Sequence, residues 1–137
     1  MRAGYPAAGG YPRDMTDAAP EPITIYFNAK CSKSRQALGL IEDQGEPYTV
    51  VEYLKTPPDR PTLEAILARL PGQPVELVRT DDPAFRELGV DKKSLATPAA
   101  VADFLVSHPE MMQRPVVLRG DRAVIARPPE LVARVLD

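Results

Sequence analysis

The sequence predicts an α/β domain with a mixed sheet, in which a helical insertion separates a βαβ half from a ββα half. Three observations carry that prediction. The run ITIYF at Ile23–Phe27 is followed by a helical pattern and then by a second β-rich run, YTVVEYL. The middle of the chain shows helical spacing only. The last third returns to two β-rich runs around Gly120-Asp121 and closes on one more helical pattern.

Taken in order, the β-branched and aromatic residues of Ile23–Phe27 predict the first strand. Across Ser32–Gln44, Ala37, Leu38 and Ile41 fall at helical spacing, and Gly45 suits the left-handed residue that ends a helix. Residues 48–54 read as a second strand halted by Thr56-Pro57-Pro58, and strand, helix, strand makes a βαβ unit expected to be parallel. Leu63, Ile66, Leu67 and Leu70 give one apolar face to a helix with Pro61 in its first turn, closed by Pro71-Gly72. Short helices are expected at 75–78 and at 83–88, the latter ended by Gly89. Thr97 as N-cap, Pro98 after it, and Val101, Phe104 and Leu105 on one face define the next helix. Residues 116–118 and 123–126 are expected to pair as an antiparallel hairpin. Residues 129–136 are expected to form a last helix that turns Leu131, Val132, Val135 and Leu136 to the core.

This is the element order of a thioredoxin-like (glutaredoxin-like) fold with an insertion between its halves. Residues 23–137 are expected to form that domain, and residues 1–22, rich in Gly, Pro and Ala, a flexible tail. Tyr26, Tyr53, Phe85 and Phe104 sit at core-like positions, the Met111-Met112 pair suits packing, and His108 suits a helix C-terminus.

Composition narrows the function classes. A chain of 137 residues suits one domain and is too short for two ordinary ones. With 17 basic and 19 acidic side chains the formal charge is −2, so nothing draws the whole chain to nucleic acid or to an anionic membrane, and neither is expected as a partner. Any anion site must be local. No apolar run approaches the ~20 residues that span a bilayer. Cys31 is the only cysteine and His108 the only histidine, which excludes an internal disulfide and a Cys/His metal site. No bound cofactor is expected. The unpaired thiol and the lack of an apolar signal segment at the N-terminus fit a cytoplasmic protein, expected to be a monomer.

Cys31 stands where the first helix begins. Unpaired backbone N–H groups and the positive end of the helix dipole at such a position lower a thiol pKa from about 8.5. Lys30, Lys33 and Arg35 supply nearby positive charge, and the Ser34 hydroxyl can donate a hydrogen bond to the sulfur. A lone cysteine is more often a small buried hydrophobe, but the polar neighbours Lys30, Ser32 and Ser34 argue for an exposed, reactive thiol. Among the arginines, Arg60, Arg69, Arg86 and Arg134 read as solvated surface groups. Arg114 and Arg127 differ, because each precedes a proline at an edge of the predicted hairpin, from which both can reach toward Cys31. A planar guanidinium suits a tetrahedral oxyanion. Arg79 reads either as a third donor or as half of a surface pair with Asp81 or Asp82.

From Ile23 to about Leu136 the chain resembles the ArsC-type arsenate reductases and their uncharacterised arsenate-reductase-like relatives. The landmarks are IYFNAKCSKSR, VEYLKTPP, LVRTDDPAFREL, SHPEMMQRPVVL and ARPPELV, in that order. The resemblance implies that Cys31 is the nucleophile attacking arsenate and that Arg79, Arg114 and Arg127 bind the oxyanion. Asn28, Ser34 and Arg35 would support the thiol loop, and Pro115 would be a cis proline beside the cysteine. It further implies glutathione or another low-molecular-weight thiol as co-substrate and a glutaredoxin-like reductant as partner. One protein cysteine then suffices. Phe27 stands where that family usually has histidine and Ala29 where it has proline, which leaves depression of the thiol pKa to the helix terminus, Ser34 and the basic neighbours.

Three other readings compete with it. A tyrosine-phosphatase-like reductase needs Cys-x5-Arg, and Ala37 occupies the arginine position. An Spx-like redox regulator binding RNA polymerase shares the fold, but many carry a CxxC switch where Ser34 stands here. A glutathione-dependent thiol oxidoreductase acting on mixed disulfides needs Cys31 but not three convergent arginines.

Overall fold

Alternation along the first strand, β1 (Ile23–Phe27), sends Ile23 and Ile25 to one face of a sheet and Tyr26 to the other. The computed structural model describes residues 21–136, so the expected tail lies, but for its last two residues, outside the described residues. On one side of β1 runs β2 (Tyr48–Glu52), parallel to it with Phe27 opposite Glu52. On the other runs β3 (Val116–Arg119), antiparallel to β1, and β4 (Arg122–Ile125) completes the order β2-β1-β3-β4. The crossover from β1 to β2 is α1 (Ser32–Gln44), ended by Gly45 at φ 73°. This mixed sheet is the predicted thioredoxin-like arrangement.

Between β2 and β3 lies the insertion, with α2 (Arg60–Arg69), α3 (Pro83–Glu87) and α4 (Pro98–Ser107). Each starts on a side-chain cap and a proline: Asp59 accepts from Thr62 N–H (3.0 Å), Asp82 from Ala84 N–H (2.8 Å) and Thr97 from Ala100 N–H (3.1 Å). Leu63, Ile66, Leu77, Val101, Leu105 and Met112 pack against the Tyr26 and Val116 face of the sheet. The opposite face is covered by α1 and the C-terminal segment, through Ala37, Ile41, Val132 and Val135 against Ile23, Ile25 and Val117. The insertion is fastened at its neck, where Arg79 N–H donates to the Met111 carbonyl (2.8 Å) and Gln113 N–H to the Leu77 carbonyl (2.7 Å) around a Val78–Met112 bridge. His108 ends α4 as expected, its N–H donating to the Phe104 carbonyl at 2.9 Å.

Several expectations need correction. The strand expected at 48–54 stops at Glu52, because the N–H groups of Lys55 and Thr56 both return to the Glu52 carbonyl (2.9 and 3.0 Å) and turn the chain. The short helix expected at 75–78 is a 3₁₀ turn, Pro74–Leu77, and further 3₁₀ turns at Lys92–Leu95 and Pro109–Met111 were not predicted. The last helix is 3₁₀ as well, Pro129–Val135, with Leu131 N–H on the Pro128 carbonyl at 3.0 Å. Pro128 and Pro129 themselves carry no N–H, and the packing of Val132, Val135 and Leu136 holds the helix in place. Arg119, beside the hairpin turn, points inward at 4% exposure, donating to the carbonyls of Glu21 (3.0 Å) and Val135 (3.1 Å) and pairing with Glu46. Among the described residues no helix is long and apolar enough to cross a membrane.

Candidate active site

Where β1 ends, a tight loop delivers Cys31 to the start of α1. The Asn28 side-chain oxygen accepts the Lys30 N–H (2.9 Å), and the Asn28 carbonyl accepts the Cys31 N–H (2.9 Å). Asn28 in turn donates its own N–H to the Ser34 hydroxyl (3.3 Å), which ties the loop to the first turn of the helix. Cys31 is the N-cap, with φ −99° and ψ 121°, and its sulfur faces the Ser34 N–H without forming a full capping bond. The thiol is therefore left to other partners.

The expected exposed thiol is corrected by the structure: Cys31 is only 8% exposed. What covers it is polar as much as apolar. Ser34, fully buried, faces the sulfur with both its backbone N–H and its hydroxyl, Arg114 hydrogen bonds to the sulfur, and Arg127 Nη1 lies 3.9 Å from it. Burial alone would push the thiol up, but the Ser34 and Arg114 contacts outweigh it and bring the pKa down to about 7. The charge that acts is that of Arg114, distant in sequence, rather than that of Lys30, Lys33 or Arg35. Arg35 instead donates to the Ala29 carbonyl at 2.7 Å and braces the loop.

The two arginines reach the thiol from the same open end of the hairpin, one from each strand, and are joined to each other. Arg127 Nη1 donates to the Arg114 carbonyl at 2.9 Å. The Arg114–Pro115 peptide is cis, and so is Arg127–Pro128. With Arg79, Thr80, Asp82 and Gln113 they line a cleft of about 380 Å³. Arg79 answers both of its expected readings: it lines this cleft, and its guanidinium pairs with Asp82 and donates to the Glu110 carbonyl at 3.1 Å. Asp82, which also caps α3, is held below the usual carboxylate range by the Ala84 N–H first and by Arg79 and Arg114 as well.

Tyr53, predicted as a core aromatic, is fully buried among the apolar residues of the insertion. Its hydroxyl has no hydrogen-bond partner among the described residues, and neither has the buried Nε of Arg114. Burial pushes the phenol up, against the pull of Arg114, Asn28 and Arg79, while the nearby Cys31 charge pushes the same way as burial. Sequence signals this polar setting only faintly, through the position of Tyr53 one residue past β2. Among the described residues no group of three or more His, Cys, Asp or Glu side chains is placed to hold a metal ion.

Thiolate at neutral pH, guanidinium donors beside it and an open cleft together suit nucleophilic attack on a small anion. One consequence is direct. Ser34→Ala removes a hydroxyl donor from the sulfur, so the pH midpoint of Cys31 alkylation should rise from about 7 toward the ordinary cysteine range. At neutral pH the thiolate fraction falls accordingly and alkylation should slow about two- to fivefold, measured with iodoacetamide across a pH series.

Comparison with known proteins bears on the same region. Residues 26–135 match the ArsC family. The chain is 40% identical over 118 residues to the arsenate reductase of Neisseria meningitidis serogroup A, covering 83% of this chain and 97% of that one. It is 37% identical over 115 residues to the uncharacterized protein YfgD of Escherichia coli, covering 83% and 96%. Among solved structures, the arsenate reductase from Vibrio cholerae superposes with a TM-score of 0.77 at 32% identity, over 86% of this chain and all of that one.

Proposed function

The chain belongs to the ArsC family and is a redox protein of that type, and from that premise we propose that it reduces arsenate to arsenite with Cys31 as nucleophile. The observation that carries the reading is the Cys31 thiol, lowered to about 7 beneath the guanidiniums of Arg114 and Arg127. Arsenate enters the cleft and binds Arg79, Arg114 and Arg127. The thiolate attacks arsenic, a sulfur–arsenic bond forms, and one arsenate oxygen leaves as water after taking up protons. Arsenic is still pentavalent at this point.

The two electrons come from outside, since the chain has one cysteine. A low-molecular-weight thiol such as glutathione then displaces a second arsenate oxygen, which leaves as water, and its sulfur bonds to the still pentavalent arsenic. A second thiol, from a glutaredoxin-like partner, attacks the glutathione sulfur; the disulfide forms, the electron pair of the broken sulfur–arsenic bond reduces arsenic to the trivalent state, and water then displaces the Cys31 sulfur to release arsenite and restore the thiolate. Asn28, Ser34 and Arg35 hold the loop that presents the sulfur, and Pro115 sets the strand end from which Arg114 projects. Such chemistry suits a monomer in the reducing cytoplasm.

Purified protein with glutathione and glutaredoxin should turn over arsenate, measured by arsenite release. The absence of turnover with any thiol donor overturns the reading. Arg114→Ala or Arg127→Ala should raise the barrier by about 2–4 kcal/mol, since each removes a fixed donor from the charge that develops on the oxyanion.

A further inference from the structure

Tyr53 follows β2 directly, and because Phe27 pairs with Glu52, it stands at the carboxyl end of the parallel strands beside the thiol loop. Ligands of α/β sheets gather at this end. Its ring belongs to the core, but its oxygen does not behave as a core atom. A fully buried hydroxyl with no hydrogen-bond partner is costly, and native interiors keep few of them. Asn28 does not relieve it. Asn28 acts on the phenol as a donor, since it pulls the Tyr53 pKa down, and it leaves the phenol O–H unused.

A second unused donor lies in the same neighbourhood. Arg114 Nε is buried without a partner, although the same guanidinium hydrogen bonds to Cys31. The charges acting on Tyr53 are those of Arg114, Arg79 and Cys31, which are the thiol itself and two of the arginines that line the neighbouring cleft. Two buried, unpartnered donors thus stand on two separate segments, within reach of the same charges that surround Cys31.

We propose that Tyr53 is an oxyanion-binding residue, whose O–H joins Arg114 Nε–H in an inner wall that holds oxygens of the tetrahedral anion attacked by Cys31. The proposal rests on the oxyanion reading of the site and deepens it. Burial keeps the phenol protonated through neutral pH, so it donates and never repels an anion. A neutral donor here also favours ligands with several oxygens over disulfides, which offer none.

Tyr53→Phe keeps the ring and removes the hydroxyl. Cys31 is alkylated with iodoacetamide with and without arsenate, and in parallel with phosphate. Arsenate should protect the wild-type thiol, and the concentration giving half-protection should rise about tenfold or more in the variant. The pH midpoint of alkylation without anion should stay at about 7. The thermal midpoint should be unchanged or higher, because an unsatisfied buried hydroxyl has been removed. Equal protection of both proteins overturns the proposal, as does a lower thermal midpoint, which would mean the hydroxyl has a structural partner. A raised pH midpoint with unchanged protection overturns it too, by making Tyr53 a partner of the thiolate. If neither arsenate nor phosphate protects the wild type, the oxyanion reading itself falls and takes this proposal with it.

Discussion

Replacement of Cys31 by serine should abolish arsenate turnover while leaving the fold at least as stable as before. The two effects separate because the residue does two jobs. As nucleophile it depends on a thiolate that is populated at neutral pH, with its pKa brought to about 7 by Ser34 and Arg114. A serine hydroxyl in the same place stays protonated and attacks poorly. As N-cap of α1, Cys31 offers the Ser34 N–H only a weak sulfur acceptor, whereas serine is among the preferred caps. The variant should therefore release no arsenite above the enzyme-free rate, and its thermal midpoint should hold or rise, by up to about 1 kcal/mol in stability. Arsenite release followed together with thermal unfolding checks both halves. Retained turnover would remove Cys31 from the chemistry.

Arg119→Ala should be the most destabilising single substitution considered, and for reasons remote from the thiol. The Arg119 guanidinium, 4% exposed, joins the carbonyls of Glu21 and Val135 and the Glu46 carboxylate. It thereby ties together the entry to β1, the entry to β2 and the C-terminal 3₁₀ helix. Its loss strands the carbonyl of the buried Val135, while the exposed Glu21 and the part-exposed Glu46 can turn their acceptors to water. A cost of about 3 kcal/mol follows, a large share of a domain stability of roughly 5–15 kcal/mol. Urea unfolding should show the unfolding free energy in water fall by that amount at unchanged m. Glu46→Gln should cost clearly less, because the two carbonyl bonds remain.

The contrast between Cys31 and Arg119 shows what a sequence discloses. The βαβ half was legible because Ile23–Phe27, the helical spacing of Ala37 and Ile41, and Gly45 each repeat a local rule that tertiary structure did not override. Thr97-Pro98 marked α4 for the same reason. Arg114 and Arg127 were legible through their prolines at the open end of one hairpin. What stayed hidden depends on which way a side chain turns once strands pair. Arg119 sits beside a Gly-Asp turn that suggests solvent, yet its register opposite Ile23 puts it on a buried face. Tyr53 looks like any strand aromatic, since nothing in a run of apolar letters reveals where a hydroxyl ends. The polar neighbours of Cys31 suggested exposure, but the groups that cover the thiol come from residues 114 and 127, far along the chain. The last helix was expected to be α because apolar spacing does not distinguish 3.6 from 3.0 residues per turn over so short a stretch.

The neck of the insertion has a consequence for how this scaffold tolerates change. Because residues 77–79 are zipped to residues 111–113, everything between them hangs as a closed excursion from a fixed clasp. Arg79 lies on the clasp and Arg114 directly follows it, so their spacing is set by the two hydrogen bonds and not by the length of chain between them. Lengthening, shortening or nicking the surface turns near Gly89 and Lys92–Leu95 leaves that spacing as it is. The apparatus for gripping an anion is thus insulated from the most variable kind of surface, and the excursion is free to diverge in size without disturbing the grip.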